Sequence, residues 1–170
     1  MTAMMSDDAA SEKLVIRDAS AADAEALWEI DRACFSEADS LEIIKAQLSD
    51  RMVTVKLCEI GGTVVSYCSA LFVFDEVQII NVATLPQHTS NGYAYKVLCS
   101  VLEGAKARGA ISASLEVRVS NAAAIHVYEK AGFHTCGVRR RFYKKPTEDA
   151  LVMVARFSEG TDTFCRKGQM

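Results

Sequence analysis

The chain has 170 residues, 50% of them hydrophobic and 24% charged, with a net charge of −3. That length fits one domain able to bury its own core, and the slight acidity excludes a general basic surface for nucleic acid or anionic lipid. No apolar run approaches the roughly 18 residues of a membrane span. Met1 to Ser11 carries neither an apolar signal core nor an Arg-rich transit pattern. A cytoplasmic protein with no membrane partner and no direct nucleic-acid partner is therefore expected.

Six cysteines (Cys34, Cys58, Cys68, Cys99, Cys136, Cys165) form no C-x-x-C pair and have no histidine at metal-ligand spacing. Scattered among apolar neighbours, they read as reduced, buried thiols, and no metal site is expected.

Residues 1–12 and 158–170 are polar or small and read as tails around a domain at 13–157. Leu14 to Arg17 is a short strand. Ser20 follows as an N-cap, with Asp23 three residues on, ahead of a helical run carrying Ala24, Leu27, Trp28 and Asp31. A second helix is predicted over Leu41 to Leu48, with Ile44 and Leu48 on one stripe. Met52 to Ile60 is rich in β-branched residues and ends at Gly61-Gly62, a hairpin signal. Thr63 to Phe74 is the return strand, Asp75-Glu76 the next turn, and Val77 to Thr84 a third strand stopped by Pro86.

The period then changes. Gly92 to Arg108 spaces Val97, Leu98, Val101, Leu102 and Ala105 as a helix, closed by Gly109. Ile111 to Val119 alternates, with Ala113, Leu115, Val117 and Val119 on one face and Ser114, Glu116 and Arg118 on the other. Ser120 or Asn121 caps a helix through Ala131. Phe133 to Arg139 and Ala150 to Phe157 are two last strands around a polar loop. Strand, helix and strand from Val77 to Val119 form one βαβ unit, so those strands run parallel. The class is α+β, with a mixed sheet.

Two segments carry chemistry. In Val82 to Ala94, a strand leads through a tight polar loop into a helix start at Gly92. Orphan N–H groups and the positive end of the helix dipole meet there, which suits a pyrophosphate. Gly92 lets the backbone approach, and Thr89, Ser90 and Asn91 add side-chain donors. Taken alone, this is also an ordinary strand-to-helix turn. The second segment, Leu115-Glu-Val-Arg-Val-Ser-Asn-Ala-Ala-Ala-Ile-His-Val-Tyr-Glu-Lys-Ala-Gly-Phe133, closely resembles the RimI-like, ribosomal-protein alanine N-acetyltransferase branch of the GNAT superfamily. The resemblance runs from Leu14 to Phe157 and includes Ile16 to Asp23, Arg139 to Tyr143 and Glu148 to Met153.

That resemblance implies a three-layer fold with a central mixed, twisted sheet of about seven strands, splayed at its parallel middle strands and flanked by about four helices. It implies an acetyl-CoA-dependent N-acetyltransferase acting on a protein or peptide N-terminus, possessing no metal, as a monomer or weak dimer. Acetyl-CoA would contact Val82, Ala83, Thr84, Thr89, Ser90, Asn91, Gly92, Tyr93, Ala94, Asn121 and Tyr128. Glu116 matches the general base and Tyr128 the general acid; Asn81, Arg118, Arg140 and Tyr143 match acceptor positions.

Without the resemblance, Glu116 is a strand carboxylate paired with Arg118, Tyr128 is core packing, and Arg139 to Arg141 are a solvated strand edge. His126 and His134 read as surface or helix-end residues. Two departures stand out. The phosphate loop has Thr89-Ser90 where the family carries basic residues, with Lys96 one turn on. Cys34 to Ser40 replaces a Pro-Trp element beside the acceptor entrance. The competing functions are acetylation of a small amine or a Lys side chain, and a non-catalytic acetyl-CoA-binding domain.

Overall fold

A computed structural model describes residues 12–158. The first strand, β1 (Leu14–Asp18), leads into a turn held by Asp23, whose carboxylate accepts from the Ser20 N–H at 2.7 Å and from Arg17 at 2.9 Å. Helix α1 (Ala24–Cys34) follows and buries Ala24, Leu27, Ile30 and Asp31, a stripe at helical spacing. Ser40 caps α2 (Leu41–Ser49) by accepting from the Ile43 N–H.

A meander comes next: β2 (Val53–Ile60), β3 (Thr63–Val73) and β4 (Glu76–Thr84). Gly61 and Gly62 both take positive φ in the first hairpin, as the dipeptide predicts. The second turn sits one residue earlier than expected, at Phe74-Asp75, with Glu76 already paired to Val73. Helix α3 (Tyr93–Ala107), strand β5 (Ser112–Arg118) and helix α4 (Ala122–Lys130) match the periodicities. Val119 lies past the end of β5 and is exposed, so the buried alternation stops at Val117.

The expected polar loop near the C-terminal end is instead strand. β6 (His134–Lys144) and β7 (Thr147–Arg156) form a long hairpin around Lys145-Pro146, with a register shift between Arg139 and Tyr143. Arg140 to Lys144 read as loop because they lack apolar alternation. They are paired on one side only, at the sheet edge, where no alternation is demanded.

The sheet order is β1-β2-β3-β4-β5-β7-β6, with β4 and β5 parallel and the other pairs antiparallel. On one face α1 and α2 pack Leu27, Ile30 and Ile44 against Leu57, Tyr67 and Ala83. On the other, α3 and α4 pack Val97, Leu98, Val101 and Leu102 against Val65, Leu115 and Met153. Each such aliphatic side chain contributes about 1.5–3 kcal/mol of burial.

The two middle strands pair over only three positions, Glu76↔Ser112, Val77↔Ala113 and Gln78↔Ser114. Beyond them β4 stays with β3 as far as Thr84, while β5 stays with β7 as far as Arg118. The extra residue Ile80 forms a bulge between the Ile79 and Asn81 pairings, and a bulge adds local twist. The sheet therefore opens into a V between Asn81–Thr84 and Glu116–Arg118.

Candidate active site

One wall of the V ends at the loop into α3. Pro86–His88 forms a 3₁₀ turn, Ser90 and Gly92 take φ of 66° and 78°, and the first α3 bond runs from the Lys96 N–H to the Gly92 carbonyl. The N–H groups of Tyr93, Ala94 and Tyr95 thus have no acceptor inside the helix. A Cβ placed on Gly92 meets no atom within 4 Å, so the space over this tip is open to an anion. The left-handed φ explains the glycine, since a side chain there is strained.

Two of the side-chain donors expected for phosphate serve the loop itself. The Thr89 hydroxyl donates to the Pro86 carbonyl at 3.0 Å, and the Asn91 amide to the His88 and Thr89 carbonyls. They hold the turn in shape and leave the anion to the backbone N–H groups. Tyr93 lies beside the His88 ring. Lys96 is exposed one turn along. This donor set, neutral and preorganised, fits a diphosphate.

Along β4, Val82 packs toward α3 and Ala83 is buried against α1. The Ala83 carbonyl accepts from Ser66 and the Thr84 carbonyl from the Cys34 thiol. Beyond Gln78 the β4 edge turned toward β5 has no ladder partner, which leaves backbone groups for an extended amide chain.

Glu116 and Tyr128 lie on opposite faces of the sheet. Glu116 alternates with the buried Leu115 and Val117 and so lies on the α1–α2 face; its side chain is 16% exposed. Its partner is Arg139 on β6, with Nε 3.5 Å from Oε1, and not Arg118 as the sequence suggested. Arg118 turns to the β6–β7 turn instead. It donates to the carbonyls of Pro146 at 2.9 Å and Lys145 at 3.2 Å, reaches Glu148 at 3.4 Å, and stacks 4.3 Å over Tyr143. An acceptor contact for Arg118 would compete with these, so its visible role is to pin the hairpin. The Ser120 N–H and hydroxyl, helped by Arg118, hold the Glu148 carboxyl below its ordinary range.

Tyr128 comes from α4 on the other face, buried and edge-on to Phe133. Burial pushes its phenol above the ordinary value, and the neighbouring Cys68 and Tyr143 add to the rise, so it stays protonated. Tyr143 is also raised, mainly by burial, with Glu116 and Glu148 adding and Arg118 opposing. Tyr143 packs against Phe142 and under Arg118, while Tyr128 packs against Phe133 and Glu116 pairs with Arg139. Asn121 caps α4, its Oδ1 accepting from the Ala124 N–H at 3.1 Å. Arg140 projects, exposed, from the sheet edge.

On β4, Asn81 lies on the same sheet face as Tyr67, two residues along the ladder, and Tyr67 donates to Asp31. Sequence reading placed Asp31 on α1 without a role, although a carboxylate in register with Leu27 and Ile30 is itself a signal of buried partners. Ser36 was also missed: its hydroxyl donates to the Lys145 carbonyl at 2.5 Å, joining the α1–α2 loop to the β6–β7 turn. His126 and His134 are exposed. Cys34, Cys58, Cys68 and Cys136 are free thiols. Cys99, expected as a reduced core thiol, is disulfide-bonded, which the cysteine spacing does not reveal. Cys165 and both expected tails, apart from Glu12 and Ser158, lie outside the described residues. Among the described residues no three His, Cys, Asp or Glu side chains converge as a metal site, and no helix is long and apolar enough to cross a membrane.

The fold built around this splayed parallel pair is shared with known proteins. Residues 24–133 match the acetyltransferase (GNAT) family. The chain belongs to that family. It is similar to the [Ribosomal protein bS18]-alanine N-acetyltransferase of Haemophilus influenzae, with 31% identity over 142 residues that cover 82% of this chain and 96% of the relative. The crystal structure of the Escherichia coli ribosomal-protein-S18-alanine N-acetyltransferase superposes with a TM-score of 0.80 at 25% identity, covering 89% of this chain and 99% of that one. A Salmonella typhimurium protein solved with its cofactor acetyl-CoA shares the fold, with a TM-score of 0.75 at 22% identity, covering 89% and 98%. The GNAT member described here is an acetyl-CoA-dependent N-acetyltransferase, and the expected α+β sheet with a splayed parallel centre is the observed one.

Proposed function

We propose that this GNAT enzyme acetylates the N-terminal α-amine of a protein beginning with alanine, the bS18 type of acceptor named for its relatives. The observation that carries the reading is the opening between β4 and β5, with Glu116 on one face of the sheet and Tyr128 on the other. The acetyl donor supplies an activated thioester. The N–H groups at the Gly92 tip hold its diphosphate, and the free β4 edge at Val82–Thr84 aligns the chain that carries the acetyl group. The Asn121 amide retains donors beyond its capping bond for that chain.

An α-amine with a pKa near ~8 is largely protonated at neutral pH, so it must lose a proton before it attacks. Glu116, beside Arg139, accepts that proton directly or through water. Tyr128 stays protonated because it is buried, and donates a hydrogen bond where the sulfur departs. Asn81 and Tyr143 line the acceptor side, while the exposed Arg140 meets the acceptor farther along its length.

The test is acetyl transfer, read by free CoA, to peptides with an N-terminal alanine, to the same peptides blocked at the N-terminus but carrying lysine, and to polyamines. Turnover of the first set at more than about tenfold the others is the expected result. Preference for lysine or polyamine would remove the α-amine reading, and no calorimetric binding of acetyl-CoA would remove the enzyme reading.

A further inference from the structure

Asp31 is 1% exposed, yet it sits on the α1 stripe between residues that pack as hydrocarbon. A carboxylate removed from water costs several kcal/mol unless it is hydrogen-bonded, so its partners identify what it is retained for. One oxygen takes the hydroxyl of Tyr67, itself 3% exposed on β3. The other accepts from the Asp39 N–H at 2.8 Å. Asp39 lies in the α1–α2 loop, and its own carboxylate is held by the Gln47 amide of α2 at 3.1 Å. Asn81, the residue after the Ile80 bulge, where β4 leaves β5, stands on the same sheet face as Tyr67, two residues along the β3–β4 ladder.

We propose that Asp31 and Tyr67 are positioning residues for the acceptor: a buried hydrogen-bonded link that fixes the α1–α2 loop relative to Asn81 at the open end of β4. This rests on the acceptor entering beside that loop, as proposed above. A second tie runs parallel to the link, from the Cys34 thiol to the Thr84 carbonyl, and it stays in place when the Asp31–Tyr67 bond is cut. The same loop meets the β6–β7 turn through Ser36, which makes it the span over the acceptor half of the V. Nothing in the link touches the Gly92 tip or α3. Loosening it should therefore weaken acceptor binding and leave acetyl-CoA binding alone, a separation that general destabilisation would not produce.

Two substitutions cut the link at different places. Tyr67→Phe removes the hydroxyl, while the Asp39 hook remains. Asp31→Leu, of similar size, leaves neither Tyr67 nor the Asp39 N–H an acceptor, so it releases the loop. Two-substrate kinetics on the full chain, with an alanine-initiated peptide and acetyl-CoA, should show the peptide KM of Tyr67→Phe raised about fivefold or more, the loss of roughly one hydrogen bond. The acetyl-CoA KM and kcat should stay within about twofold. Backbone hydrogen exchange at Asp39 should accelerate in Asp31→Leu and not in Tyr67→Phe. An unchanged peptide KM in Tyr67→Phe, or a parallel rise in both KM values, overturns the proposal. So does unaltered Asp39 exchange in Asp31→Leu. If Asp31→Leu does not fold, the Tyr67→Phe kinetics decide alone. If the unsubstituted enzyme transfers to no peptide amine, the functional reading fails instead, and Asp39 exchange still decides whether the link holds the loop.

Discussion

On the side of the cleft proposed for acetyl-CoA, the donors are backbone N–H groups at a helix tip, set by the φ of Gly92 and by a loop that spends its own side chains on its shape. On the acceptor side nearly every contact is made by a side chain: Arg118 to the hairpin carbonyls, Ser36 to Lys145, Tyr67 to Asp31, and Arg139 to Glu116. Backbone recognition tolerates changes of sequence and grips a ligand part common to all reactions of the fold. Side-chain networks can be rewired without changing the strand layout, which suits the half that chooses an acceptor.

The largest break in this comparison should come where the halves meet. Glu116→Gln should lower kcat by about 100-fold or more, because a positioned base contributes that much, and Tyr128→Phe by about tenfold to 100-fold. Neither should move the acetyl-CoA KM by more than about threefold in steady-state CoA release. Retained turnover in both would remove them from the chemistry. Next, Gly92→Val should raise the acetyl-CoA dissociation constant about tenfold or more, since a β-branched residue resists left-handed φ and fills the space over the tip. Calorimetry measures this, and an unaltered constant would move the diphosphate elsewhere.

Arg118→Ala loosens the β6–β7 turn and should raise the peptide KM about threefold to fivefold, with the acetyl-CoA value unaffected. A rise in both would mean that the two halves are less separable than the geometry indicates. The smallest effect lies outside the cleft. The Arg17 guanidinium, assisted by the Ser20 N–H and opposed by burial, lowers the Asp23 carboxyl from 3.8 to about 2. A depressed acid stabilises the fold above its ordinary value, and that contribution fades as pH falls through about 2. Because the Arg17 side chain is 37% exposed, screening limits the contribution to about 1 kcal/mol. Urea unfolding of Asp23→Asn against the unsubstituted chain should differ by that amount at pH 7 and converge in strong acid.

The elements were legible because their signals are local. Gly61-Gly62, the Ser20–Asp23 pair, the spacing of Val97 to Leu102 and the alternation of Ala113 to Val117 each depend on residues a few positions apart. The hairpin at Arg140 to Glu148 was not legible, because an edge strand is specified by its neighbour and not by a buried face. The same reason hid the partner of Glu116. Arg118 is two residues away on the same strand face, but the β6–β7 turn captures it, and Arg139 arrives from two strands over.

By itself the sequence determined the α+β class, the parallel crossover and the two segments that mark a GNAT enzyme, since periodicity and turn chemistry act over short stretches of chain. Only the tertiary structure decided the three-position pairing of β4 with β5, the bulge at Ile80 and the pairing of Glu116 with Arg139. Those depend on which strands find each other across tens of residues, and there long-range packing selects among registers that local preference leaves equal.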